Sequence, residues 1–198
     1  MNELDLFQLC GFDEDEQPLD FRQREVLSVL SEDVNAVYSF QGLRRKLGLH
    51  QEMLSRTLER LEEQDLVERT GDGYRISTKK DESQFGYTTE ARPIERQVVT
   101  AHLPGRVDVD LILNTLKGRW FREFRWLGYS GTTSGMILHW ITEDGRIQLR
   151  ANVSEGALSI SALYKTSMDE ERATRSALEI LDFIVGQNTL PMKHEKLN

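Results

Sequence analysis

The residues with the most legible chemistry in this chain are cations and their hydrogen-bonding neighbours. Arg44, Arg45 and Lys46 stand in a row, Gln51, Ser55, Arg56 and Arg60 follow, and Arg69 and Arg75 flank Gly71-Asp72-Gly73. Guanidinium and ammonium groups contact phosphate oxygens, whereas Arg and Gln can each read a base edge through two hydrogen bonds. Catalytic groupings are missing. His50, His102, His139 and His194 show neither His-x-x-x-His nor Glu-paired spacing, so no metal centre is expected. Cys10, the one cysteine, has no neighbouring base; it reads as an incidental thiol and excludes an intramolecular disulfide. Gly131 to Gly135 contains no Lys and does not open onto a helix, so it fails as a phosphate loop. The expectation is a protein that is not an enzyme and carries no cofactor.

A net charge of −8 opposes binding to a polyanion, but the charge is unevenly spread. Residues 1–35 hold ten acids and two bases, 36–80 nine bases and seven acids, and 81–198 fourteen bases and sixteen acids. The one stretch with a positive balance contains every cation named above. With 198 residues, 38% hydrophobic and 29% charged, the chain can form one large or two small globular domains. No apolar run approaches the ~18 residues of a bilayer span. Met1 to Cys10 lack the basic start of a secretory leader, so a cytoplasmic protein without membrane contact is expected.

Local patterns place these residues on elements. Asp20-Phe21-Arg22-Gln23 is a capping pattern, and Val26, Leu27, Leu30 and Val34 at helical spacing predict a helix over about 21–32. Ser39 can cap a second helix, Phe40 to Leu47, that Gly48 stops. A third helix is predicted from Gln51 to Gln64 with Leu54, Leu58 and Leu61 as its buried stripe. Leu66–Thr70 and Tyr74–Ser77, around Gly71-Asp72-Gly73, read as a tight hairpin.

Helix, helix, Gly turn, helix and hairpin is the order of a winged helix-turn-helix. The segment SFQGLRRKLGLHQEMLSRTLERLEEQDLVERTGDGYRIS resembles the second helix, recognition helix and wing of winged-helix regulators of the MarR and ArsR kind. LERLEEQDLVER followed by the Gly-Asp-Gly turn is its most specific part, and the likeness covers under half the chain. It implies that the third helix enters the major groove, with Gln51, Ser55 and Arg56 reaching base edges. Ser39, Arg44, Arg45, Lys46, Arg60, Arg69 and Arg75 complete the expected DNA-contact set. Glu52 and Glu59 lie on the same face and would repel phosphates. Winged helices also dock proteins, and the acidic total fits that use.

Residues 78–93 are polar, lack periodicity and end in Pro93, which predicts a linker that lets the two halves move. Beyond it, a strand from Gln97 to Leu103 precedes a helix capped by Asp108, with Val109, Ile112, Leu113 and Leu116 apolar. Four strands follow, Trp120–Ser130, Met136–Thr142, Arg146–Val153 and Ala157–Lys165. Ser167 to Glu170 is a capping box that opens a helix with Ala173, Ala177, Ile180, Leu181 and Ile184 on one face. Alternation sends Ile147, Leu149, Ala151 and Val153 inward and Arg146, Gln148, Arg150 and Asn152 outward. In Arg119–Trp126, the same rule puts Trp120, Phe124 and Trp126 in the core rather than on a base-stacking platform.

The expected fold is therefore α+β. A winged-helix domain (1–80), a linker (81–93), a sensing or dimerisation domain of β-α-β-β-β-β-α order (94–188) and a tail (189–198) divide the chain. The function expected is a homodimeric transcription regulator reading duplex DNA, with room for a small-molecule effector or a transcription protein as further partner. The alternative is an adaptor whose winged helix docks a protein in a transcription or replication assembly.

Overall fold

The computed structural model describes residues 19–77, 94–103, 108–164 and 166–188. Its first helix, α1 (Phe21–Leu30), starts where the sequence places it. Asp20 Oδ1 accepts the Gln23 amide and Gln23 Oε1 accepts the Asp20 amide, both at 2.8 Å. These two bonds satisfy amides that the first helical turn leaves unpaired. Val34 lies beyond the helix and is exposed. Strand β1 (Ala36–Tyr38), absent from the sequence reading, intervenes before α2 (Phe40–Leu47). Ser39 Oγ caps α2 by accepting the Gly42 amide, and Gly48 ends it at φ 64°, a conformation that costs a residue without Cβ little. Helix α3 (Gln51–Glu63) buries Leu54, Leu58 and Leu61, and the hairpin of β2 (Val67–Arg69) and β3 (Tyr74–Ile76) follows.

The second half runs β4 (Ile94–His102), α4 (Val109–Leu116), β5 (Phe124–Thr132), β6 (Gly135–Thr142), β7 (Gln148–Ser154), β8 (Ala157–Tyr164) and α5 (Glu170–Asn188). Asp108 caps α4 by accepting the Leu111 amide. A short 3-10 turn, Ser167–Asp169, leads into α5, whose Ala173, Ala177, Ile180 and Ile184 are fully buried. Leu149, Ala151, Val153 and Ile147 face the same core, as alternation requires. The linker and the tail expected at 81–93 and 189–198 lie outside the described residues, as does Cys10.

The architecture is mixed α+β, with five α-helices and one antiparallel sheet of eight strands among the described residues. This corrects the expected count and order of elements, a winged helix-turn-helix followed by an antiparallel sheet with two helices in β-α-β-β-β-β-α order. Strand order is β2-β3-β1-β5-β6-β7-β8-β4, so one sheet runs through both halves. The join is β1 on β5, with Ala36 opposite Ser130, Val37 opposite Tyr129 and Tyr38 opposite Gly128. Three glycines allow it. A Cβ on Gly128 would collide with the Val37 carbonyl, one on Gly42 with the Leu127 backbone, and one on Gly145 with the Arg45 carbonyl. The Ser39 amide extends the join by donating to Leu127 O at 2.8 Å. The halves meet backbone to backbone.

Two cores flank this sheet. Trp126, Trp140 and Leu138 pack with α4 and α5 on one face. Leu127 and Ile141, their neighbours in sequence, point the other way and complete the core of α1, α2 and α3. The N-terminal helices therefore cover part of the second face, and Gln148, expected outward, is only 6% exposed there. Trp120 departs in the opposite sense. Strand β5 begins at Phe124, after a tight turn in which Phe121 and Phe124 exchange backbone hydrogen bonds. This removes Trp120 from the alternation, and it is 63% exposed beneath the Arg125 guanidinium, 4.2 Å from its ring centroid.

Candidate docking and nucleic-acid face

The face formed by α3 and the β2–β3 hairpin brings most of the expected contact residues together. Gln51 and Arg56 project from the first turns of α3, and Arg56, with its side chain 70% exposed, pairs with Glu52 at 2.5 Å. Ser55 donates to Glu59 Oε1 at 3.2 Å. Arg60 approaches Asp20 at 3.5 Å, across the start of α1. On the hairpin, Arg75 donates from Nε and Nη2 to Glu68 Oε2, while the Arg69 guanidinium lies 5.9 Å from the centre of the Tyr74 ring. Exposed pairs of this kind contribute ~0–1 kcal/mol each and leave their cations exchangeable.

The α2 cations are divided. Arg44 is half-buried and has no ion-pair partner among the described residues. Arg45 and Lys46 are withdrawn from the face on which the sequence reading places them. Arg45 donates to Glu143 Oε2 at 2.7 Å and to the Gln41 carbonyl at 3.2 Å, with its side chain only 11% exposed. Lys46 Nζ donates to Glu32 Oε2 at 2.6 Å and to Gln148 Oε1 at 3.0 Å, with its side chain 12% exposed. The cause is the β1–β5 join, which lays α2 against β5 and β6 and turns its C-terminal cations toward the sheet. Burial lowers the pKa of Lys46, and Glu32 opposes that shift. Ser39 is similarly occupied, since its hydroxyl accepts the Gly42 amide and donates to Leu127 O at 3.1 Å.

From Lys46 a hydrogen-bond chain enters the sheet. An ammonium only donates, so Gln148 Oε1 must accept and Gln148 Nε2 must donate onward. It meets His139 Nδ1 at 3.4 Å, which leaves His139 Nε2 carrying the proton toward Ser130 Oγ, also at 3.4 Å. His139 is fully buried. Desolvation first, then the charges of Arg150 and Lys46, lower its pKa to about 3, and the ring is neutral. This histidine is a satisfied structural group.

Between α3 and the hairpin lies a cleft of about 420 Å³, lined by Phe40, Ser55, Glu59, Glu62, Tyr74 and the Arg69–Gly73 stretch. Phe40, Glu62 and Tyr74, not among the contact residues expected from the sequence, also line it. Glu59 and Glu62, three residues apart on one helix face, were the available signal; their juxtaposition with Tyr74 depends on how the hairpin folds back. Asp72, at the hairpin tip, faces away from the cleft's acids in its bonding. It accepts Lys117 Nζ from the end of α4 and Tyr129 Oη at 3.0 Å. The Lys117 hydrogen bond lowers the Asp72 pKa, while burial and the bond to Asp72 raise that of Tyr129. No group of three or more His, Cys, Asp or Glu suited to a metal occurs among the described residues, and no described helix is long and apolar enough to cross a membrane. Compared with models of protein families, with curated proteins and with solved structures, the chain matches none.

Proposed function

We propose that this protein is an interaction adaptor whose N-terminal half is a winged helix-turn-helix used to dock a protein partner. The acid-lined cleft between α3 and the hairpin carries this reading. A winged helix that puts its third helix in the major groove and its hairpin along the duplex straddles the phosphate backbone with the space between them. Here that space is walled by Glu59 and Glu62, and Arg69 is the one cation in its lining. Phosphate binding gains free energy by releasing counterions from the duplex, and carboxylates at the contact work against it. Withdrawal of Arg45 and Lys46 into the join removes two further phosphate contacts.

A second reading, sequence-specific DNA binding, is favoured by one observation: Gln51 and Arg56 are exposed at the start of α3, where base readout occurs. The two separate on fluorescence anisotropy of a labelled random duplex, titrated from low to physiological salt. The docking reading expects no binding at physiological salt and a shallow salt dependence. Tight binding with a slope equivalent to several phosphates, weakened by Arg56→Ala, would replace it with the DNA reading.

A further inference from the structure

The same cleft has a selectivity that docking alone does not specify. Phe40 and Tyr74 lie together on its lining, their ring centroids 6.4 Å apart. Tyr74 keeps its proton, because burial raises its pKa and the charges of Glu62 and Glu59 raise it further against the opposing pull of Arg69. Aromatic faces attract cations through their quadrupole, and the chain already uses Tyr74 in this way beneath Arg69. On the helix wall, one oxygen of Glu59 takes the Ser55 hydroxyl. Oε1 of Glu62 is buried and meets no donor among the described residues. A carboxylate with one oxygen held out of water and undonated gains more than a fully solvated one from a charged donor at its other oxygen.

We propose that the α3–hairpin cleft binds a cationic side chain, arginine ahead of lysine, presented by a protein partner. The proposal rests on the docking reading. Phe40 and Tyr74 supply aromatic faces, and Glu59 and Glu62 supply the counter-charge. Arginine is preferred because its planar fork can stack on a ring while donating to a carboxylate edge, whereas lysine brings a point charge with a tighter hydration shell. Asp72 takes no part, since Lys117 and Tyr129 already occupy it.

The test uses the full chain, isotope-labelled and followed by amide NMR, with three capped glycine-flanked peptides that differ at one central residue: Arg, Lys or Glu. The Arg and Lys peptides should move the amides of Glu59, Glu62, Gly73 and Tyr74 saturably, Arg at lower concentration, and the Glu peptide should not. The double variant E59Q/E62Q should weaken the Arg peptide at least tenfold. Glu63→Gln, the same single charge change as Glu59→Gln but at an exposed site outside the cleft, should weaken it less than twofold. If the double variant is poorly folded, Glu59→Gln alone, at an exposed position, should give at least a threefold loss. Equal losses in the Glu59 and Glu63 variants, or no movement of the cleft amides by Arg and Lys, would overturn the proposal. Movement of those amides by the Glu peptide alone overturns the cationic class but leaves docking standing. Movement of α3 amides by duplex DNA, with every peptide silent, overturns docking as well.

Discussion

Tyr129, in the middle of β5, donates its phenol hydrogen across 3.0 Å to Asp72 at the tip of the β2–β3 hairpin. Lys117, at the end of α4, reaches the other oxygen of the same carboxylate. A hairpin of two three-residue strands has little stability of its own. This contact, together with the Tyr38–Tyr74 pairing of β1 with β3, fixes one wall of the cleft against the second half of the chain.

Replacing Asp72 by Asn should therefore loosen the hairpin more than the protein. Global stability should fall by about 1 kcal/mol, the order expected for a partly exposed charged hydrogen bond. Hydrogen exchange at the Gly73 amide should accelerate well beyond that of β5 and β6. Because the Asp72 pKa is lowered in the folded state, its contribution is present above the ordinary carboxylate pKa and is lost as pH falls through the folded value. Uniform acceleration across all strands would show that Asp72 acts on the whole fold instead.

His139 gives a second pH dependence of the same sign at higher pH. Its folded pKa of about 3 lies below the ordinary value of 6.5, so between these pH values the unfolded chain binds a proton that the native chain refuses. Stability should fall as pH drops through this window, by up to ~1.4 kcal/mol per pH unit from this group. His139→Gln should flatten the stability profile between pH 6 and pH 4 by about one proton, measured by denaturant unfolding at several pH values. An unchanged slope would show that His139 takes up its proton in the native state.

The glycine join makes a sharp comparison within one strand. Gly128→Ala forces a Cβ into the Val37 carbonyl, whereas Gly131, also in β5, has open space where a Cβ would go. The first substitution should destabilise by ~1–3 kcal/mol or more through overpacking, and it should split thermal unfolding so that α1–α3 melts first. Gly131→Ala should be neutral within about 0.5 kcal/mol. Equal effects at both positions would place the join elsewhere.

Trp140 and Trp120 should differ as strongly. Trp140 is fully buried and donates to Arg119 O at 3.0 Å, so Trp140→Ala should cost ~3–5 kcal/mol. Trp120 is exposed and holds one cation–π contact, so Trp120→Ala should cost no more than ~1 kcal/mol. Chemical denaturation of the two variants measures both.

The sequence by itself determined the elements whose signals are local. Asp20 with Gln23, Ser39 with Gly48, and Asp108 each encode a helix end within a few residues, because capping is a bond between near neighbours. The strict alternation of Ile147, Leu149, Ala151 and Val153 likewise fixed which side of β7 enters the core. Tertiary structure alone decided that Ala36-Val37-Tyr38 is a strand. Three residues carry no usable periodicity, and their partners, Gly128 to Ser130, lie far away along the chain. That one pairing turned Arg45 and Lys46 from a groove toward Glu143 and Gln148, while the fold-back of the hairpin left Glu59 and Glu62 facing Tyr74 across a cleft. Residue type states what a side chain can bond; only the folded backbone states which partner it meets.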